Sequence, residues 1–331
     1  MAEPRRTFKP SEWLHITELA HAAMLAGLLA ARRWELGELK FQGGTSLHLV
    51  YGSPRFSEDL DFITATTKGL HAAVRTASSH VRAAFAREFP NLTTSLKIRD
   101  QEESPDPRNP RLFTLTLSEP DWYQSLKVKV VFFIVDERVT QGYESHVRPM
   151  GVLRPRLQVD IPQVNIETAD LNEILCDKLH ALGDRQRLKE RDVFDLWWIC
   201  NQQGISAAQA AAQFALRYRT HLDMYPHGKS LRHLAQSLRA RATAMLSDAA
   251  TPTTFASTVE AIARWLPSAG GKPNLLASAA NVRAMVEHAA RCTEETAVVM
   301  DGLVQSGPQT ASGGLDTGNN ADTVRRTKPR S

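Results

Sequence analysis

Two groups of residues in this 331-residue chain have the types and spacing to do chemistry. Gly43-Gly44-Thr45 breaks a short strand pattern at Glu38 to Phe41 and opens a helical one. A helix N-terminus presents unpaired N–H groups and a partial positive charge, which suits phosphate oxygens. The glycines would let the backbone approach closely, and Thr45 or Ser46 could add a hydroxyl. The second group is Asp59 and Asp61. Two apart on a strand, they project from the same face, and two like charges that close call for a cation between them. A pair of Mg²⁺ ions roughly 3.5–4 Å apart, shared with substrate phosphates, supplies that charge and is the usual arrangement for nucleotidyl transfer. The plainer alternatives are a turn and a solvated Asp-x-Asp. Leu60 and Phe62 pointing the other way lean the pair toward a cleft.

A third group lies further along. On the helix expected at 170–184, a wheel of about 100° per residue puts Lys178 within roughly 60° of Ile174, Leu175, Ala181 and Leu182, with Arg185 about 20° away two turns later. On the helix expected at 190–202, Asp192 shares a face with Leu188, Leu196 and Ile199, and Asp195 follows one turn on. Charges on apolar faces are costly unless paired. Either they form an interhelical salt bridge, or Lys178 meets a triphosphate while Asp192 orients it. His48 and His180 read as satisfied or exposed histidines. Trp197-Trp198 reads as core filling rather than a base-stacking platform.

The elements that must position these residues can be read from periodicity. A leading helix spans about 10–36, a short strand 38–41, a helix 45–51, a strand 59–63 and a helix 69–89. A loop at 101–110 precedes strands at 112–117 and 126–135, with a shorter strand at 157–161. From 169 onward the patterns are helical: 170–184, 190–202, 206–218, 229–246, 252–265 and 278–300. The polar stretch 304–331 has almost nothing to bury and reads as a disordered tail. The expected organisation is a first domain over 1–165, a helical domain over 166–303, and the tail.

Composition sets outer limits. A 42% apolar content is that of a globular protein, and the formal charge of +4 is a weak argument for nucleic acid. Cys176, Cys200 and Cys292 are odd in number and widely spaced, and indicate neither disulfides nor zinc. The most apolar early run, 24–30, is too short for a membrane span. These features place the protein in the cytoplasm, off the membrane.

The run from Phe41 to Phe62, FQGGTSLHLVYGSPRFSEDLDF, resembles the AbiEii/AbiGii-type nucleotidyltransferase toxins of bacterial toxin–antitoxin systems. Gly-Gly-Thr-x-Leu leads through Arg-x-Ser-Glu-Asp to Asp-x-Asp, matched here by Arg55, Ser57, Glu58, Asp59 and Asp61. Ile174–Leu182 and Arg191–Trp197 resemble the family's later motifs, a lysine helix and then Arg-Asp-x-x-Asp-Leu. The resemblance covers roughly 38–200. It implies an α+β fold: a mixed sheet with flanking helices of the DNA polymerase β kind, followed by a helical C-terminal domain.

It also implies Mg²⁺ at Asp59 and Asp61, and active-site roles for Lys178, Asp192 and Asp195. The nucleotide would meet Gly43, Gly44, Thr45, Arg55 and Arg185. An NTP substrate, an RNA acceptor (the tRNA 3′ end) and a cognate antitoxin are implied partners. One departure stands out. Such enzymes often carry a third carboxylate on a neighbouring strand, and here that strand offers Lys127 and Lys129, so either two aspartates suffice or another acid such as Asp136 or Asp160 completes the site. A small-molecule or protein acceptor, or a non-catalytic NTP- or RNA-binding module, remain alternative readings.

Overall fold

The computed structural model describes residues 6–99, 110–151, 157–185, 187–220, 231–250 and 279–306. The strands are β1 (Lys40–Gln42), β2 (Asp59–Thr64), β3 (Thr93–Arg99), β4 (Arg111–Ser118), β5 (Leu126–Ile134), β6 (Ser145–Pro149) and β7 (Asn165–Ala169). The helices are α1 (Pro10–Ala31), α2 (Gly43–Leu49), α3 (Leu70–Phe85), α4 (Glu137–Gly142), α5 (Leu171–Asp184), α6 (Glu190–Gln203), α7 (Ala207–Thr220), α8 (Leu231–Ala250) and α9 (Ala279–Ser306). The strands form one mixed sheet in the order β3-β4-β5-β2-β1-β7-β6. Only the β5–β2 and β1–β7 pairs are parallel.

One sheet face is sealed by side-chain alternation. Leu126, Val128, Val130 and Phe132 of β5 point inward, as do Leu60 and Phe62 of β2. Phe62 is in register with both Phe41 and Phe132, and its ring centroid lies 5.2 Å from each. Such cross-strand aromatic pairs fix a sheet's register. α1 and α3 cover this face. Gly27 lets them close, since a Cβ there would stand 2.7 Å from the Ala77 Cα. Glu12–Ala31 is long and apolar enough to cross a membrane, but 67% of that stretch is buried inside the protein. It is the core helix of this layer.

The opposite sheet face carries Asp59, Asp61, Lys127 and Lys129. At its Ile63 end it meets a second core made by α5 to α9, which takes in Leu47, Ile63 and Tyr143. Trp198 lies in that core and Trp197 packs on Phe194 at 5.7 Å, so both tryptophans fill space as expected.

Several expectations need correction. The strand expected at 157–161 is irregular chain: Pro155 and Pro162 flank it, and Leu157 and Ile161 still pack on the first core. The strand forms later, as β7, and runs across the boundary expected at 165. α4 and β6 carry no clear period, whereas β3 does alternate, with Leu96 and Ile98 set between Ser95, Lys97 and Arg99; none of the three is among the expected elements. α9 extends to Ser306, into the expected tail; 307–331 and the helix expected at 252–265 lie outside the described residues.

A buried ion pair ties the sheet to the helical half. Arg55, 1% exposed, donates from Nε and Nη2 to the two oxygens of Asp195 at 2.6 and 2.8 Å, and from Nη1 to the Phe56 carbonyl at 2.8 Å. Asp195 is fully buried, and Lys178 Nζ reaches it at 2.7 Å. Burial alone would raise the Asp195 carboxyl, but Arg55 and Lys178 outweigh it and hold it below the ordinary value. Its stabilising contribution is therefore present at neutral pH and is lost as pH falls through that lowered value. Arg55→Leu should cost about 3–5 kcal/mol, because it leaves a buried carboxylate short of a partner. In Arg55→Leu/Asp195→Leu the two losses should not add. Denaturant midpoints check this, and additive losses would mean the two side chains are not coupled.

Candidate functional site

The glycine pair is explained by what stands next to it. Gly43 has φ +77°, and a Cβ on it would lie 2.6 Å from Asp61 Oδ2. A Cβ on Gly44 would run into the Arg55 guanidinium and come within 2.7 Å of Ser57 Oγ. The two glycines thus make room for one catalytic-type carboxylate and for the arginine that anchors the helical half. The hydroxyls expected to face phosphate turn inward. Thr45 Oγ1 donates to the Asp59 carbonyl at 2.5 Å, and Ser46 Oγ bonds Thr168 Oγ1 at 2.6 Å. Both residues are fully buried, so they brace the turn against β2 and β7.

Asp59 and Asp61 share one face of β2, both half-buried, with Leu60 and Phe62 on the other. Burial, with the Asp59 charge added, pushes the Asp61 carboxyl up to about 6. The opposing influences on Asp61 are Lys178, Arg191 and Arg185, so three cations of the helical half stand near enough for their charge to act on it. Asp59 Oδ1 is buried and makes no hydrogen bond. Lys129 Nζ lies 3.4 Å from it, close enough to compensate its charge without a well-formed hydrogen bond.

The helical side of the cleft is a chain of alternating charges. Lys178, nearly buried, bridges Asp195 at 2.7 Å and Asp192 at 3.2 Å. Arg185 closes on the other Asp192 oxygen. The interhelical salt bridge considered from the sequence is therefore present, and Lys178 takes part in it twice. Burial lowers Lys178, as do Arg55 and Arg185, while Asp195 opposes the shift. Arg185 and Lys189 are each lowered first by burial and next by Arg191, as expected where cations crowd together.

Arg55 and Asp195 lie beneath the cleft, sealed from solvent, so the structure does not present them for direct contact with a nucleotide. Neither candidate for a third carboxylate reaches the pair. Val131 is the residue opposite Asp61, and Asp136 is five residues beyond it, roughly 16 Å away at a strand's rise. There it caps α4 and bonds Arg138. The Asp160 amide bonds the Ala84 carbonyl of α3, on the covered side of the sheet. Lys129 occupies the register position opposite Asp59. His48 is satisfied, with Nδ1 on the Ser53 carbonyl at 2.7 Å and Nε2 on Glu18 at 2.8 Å.

Sequence reasoning missed a second tie between the halves. Gln42, in register with Asp61, accepts from the Tyr143 hydroxyl at 3.0 Å, and that hydroxyl lies 2.6 Å from Asp177 Oδ2 on the helix of Lys178. Lys40 is buried and donates to the Thr140 and Tyr143 carbonyls, both at 2.5 Å, which holds the segment that presents Tyr143. A lysine between Leu39 and Phe41 in a short apolar strand was a usable signal. Tyr143 and Asp177 offered none.

The family model described as nucleotidyl transferase AbiEii toxin, type IV toxin–antitoxin system, matches residues 30–266. Among solved structures, JHP933 from Helicobacter pylori is 16% identical, with a TM-score of 0.47 over 89% of this chain and 97% of its own. MenT4, a nucleotidyltransferase toxin from Mycobacterium tuberculosis, is 15% identical, with a TM-score of 0.43 over 63% of this chain and 66% of its own. A comparison with curated proteins returned no match. Because the family model covers well over half the chain and takes in both walls of the cleft, the chain belongs to the AbiEii nucleotidyltransferase toxins of toxin–antitoxin systems.

Proposed function

We propose that this enzyme uses Mg²⁺ to transfer a nucleoside monophosphate from an NTP to the 3′-terminal hydroxyl of tRNA, releasing pyrophosphate and so acting as a toxin in the cytoplasm, with a cognate antitoxin as its partner. The observation that carries the reading is the charge around the aspartate pair. Lys178, Arg185 and Arg191 act on Asp61, Lys189 acts on Asp59, and Lys129 pairs with Asp59. A cleft so rich in cations suits two polyanions, a triphosphate and an RNA end. It opposes an aminoglycoside-like cation, which disfavours the small-molecule alternative.

The donor set fits a hard divalent ion: two carboxylates on one face, one with a buried oxygen lacking a hydrogen bond and the other with a raised pKa. Bound there, Mg²⁺ would align the acceptor oxygen with the α-phosphate and stabilise the charge that develops. Lys178 and Arg185 then neutralise the leaving pyrophosphate, and they cost little to reorganise because Asp192 already holds both. Asp192 itself is 1% exposed and acts as a positioning residue. Asp195, itself anchored by Arg55, holds Lys178 in turn. The backbone at Gly43 and Gly44 is the part of the turn left to meet phosphate.

Incubation with each labelled NTP and total RNA tests the proposal. Wild type should label tRNA, while Asp61→Ala and Lys178→Ala should each reduce labelling by a hundredfold or more. Labelling that survives Asp61→Ala would refute the metal site. NTP binding without transfer to any RNA would favour the non-catalytic alternative.

The raised Asp61 predicts a pH dependence. At pH 7.5 Asp61 is ionised and ready to bind metal, whereas below about 6 in the metal-free protein a proton competes for it. Metal affinity should therefore fall with pH through that value, approaching tenfold per unit. Because the folded-state pKa is raised from 3.8 to about 6, Asp61 destabilises the metal-free fold by an amount that grows between those two values and is complete above about 6. Asp61→Asn should raise the melting temperature in chelator most at pH 8, about half as much at pH 5 and hardly at all at pH 3.

Lys129 should oppose metal binding, since it places a fixed charge where a ligand would otherwise stand. Lys129→Ala should tighten the metal affinity by up to about tenfold, the Coulomb scale for such charges near a protein surface. Weaker binding in that variant would show that Lys129 supports the metal site.

A further inference from the structure

We propose that Cys200, His288 and Cys292 form a structural site for a thiophilic divalent cation, zinc by its ligand chemistry, which pins α6 to α9 away from the catalytic cleft. The ligand atoms of these three residues all lie within 4.8 Å of one another. They come from helices nearly ninety positions apart in sequence. His288 and Cys292 stand four residues apart on α9, the spacing that puts two side chains on one helical face, and His288 Nε2 lies 3.4 Å from Cys292 Sγ. Cys200 meets them from the last turn of α6.

Both thiols are buried in the helical core, and His288 is half-buried at its edge. The three residues thus offer two sulfurs and an imidazole nitrogen, with an approach from the His288 side for a fourth, exogenous ligand such as water. Zinc binds thiolate at about 2.3 Å and imidazole at about 2.0 Å, which sets tetrahedral ligand atoms roughly 3.5–3.8 Å apart. Reaching that geometry from the arrangement present needs side-chain adjustments of about an ångström. Coordination converts both thiols to thiolates and releases up to two protons to solvent, with no change of oxidation state.

The sequence reading treated the cysteines as isolated because Cys200 meets its partners only through the packing of α6 on α9. The site's expected effect is on the helix that carries the cleft's acids. Asp192 and Asp195 occupy the first two turns of α6 and Cys200 the last, so a metal at Cys200 would anchor the end of the helix opposite the cleft.

The test uses the full-length protein purified under reducing conditions. Co²⁺ should give an intense near-ultraviolet thiolate-to-cobalt band saturating at one equivalent, and zinc measured after dialysis should remain near one per chain. The band should persist in Asp59→Asn/Asp61→Asn, because carboxylate ligands give none, and should vanish in Cys200→Ser and Cys292→Ser. His288→Ala should weaken Co²⁺ binding at least tenfold. Wild-type spectra need no variant to fold. Absence of a thiolate band in reduced wild type would overturn the proposal. So would a Cys200–Cys292 disulfide forming in air at the same rate with and without zinc, since coordinated thiolates resist oxidation. The outcome is independent of nucleotidyl transfer, so either reading can fail alone.

Discussion

The cleft depends on one buried ion pair, Arg55 with Asp195. Without it the two walls, a sheet face carrying two aspartates and a helix pair carrying lysine and arginine, would still be joined by the shared apolar core and the Gln42–Tyr143–Asp177 link, but with less to fix their orientation. Desolvating a guanidinium and a carboxylate is expensive, and a well-packed apolar pair could hold the same elements at less cost. The bidentate geometry supplies direction instead. It fixes the rotation of α6 relative to the chain between α2 and β2, and the same Asp195 takes Lys178 as a second partner. An apolar contact would allow slippage of an ångström with little penalty, enough to misalign an in-line displacement.

Asp61 and Arg55 explain the glycines. The turn at Gly43-Gly44 is often read as an adaptation to phosphate alone. Here each missing Cβ is the space in which another functional group sits, Asp61 Oδ2 in one case and the Arg55 guanidinium with Ser57 in the other. Thr45 and Ser46 brace the same turn from below. Residues scattered over positions 43–61 are in this sense one packed unit.

Much of this was legible in the sequence and some was not, for identifiable reasons. Alternation placed Asp59 and Asp61 on one face, and helical periodicity put Lys178 and Asp192 on apolar faces where they had to be paired. The packed order of the strands was not legible, because β6 and β7 are short and are separated by a stretch that holds Pro155 and Pro162. The irregular run at 157–161 has a strand's apolar content without its hydrogen bonds. The burial of Arg55 was also hidden: the motif marks the residue as functional, but only the fold shows that it contacts Asp195, 140 residues away, instead of a nucleotide. The Gln42–Tyr143–Asp177 connection has no local signature, since each member is ordinary where it stands.

Lys129 gives the charge arrangement its meaning. With a lysine opposite Asp59 in place of an acid, the described cations around the cleft outnumber its carboxylates even before a metal binds. Burial is the first cause that shifts Lys178, Arg185 and Lys189 toward neutrality, and for Arg185 and Lys189 the Arg191 charge is the next. Partly desolvated cations of this kind are best matched by a ligand carrying several negative charges. A triphosphate meets that requirement, and so does the phosphate backbone of an RNA end held alongside it. On the proposed function, a preference for polyanions would follow from the excess of fixed positive charge, and the two aspartates would set where along the bound anion the chemistry takes place.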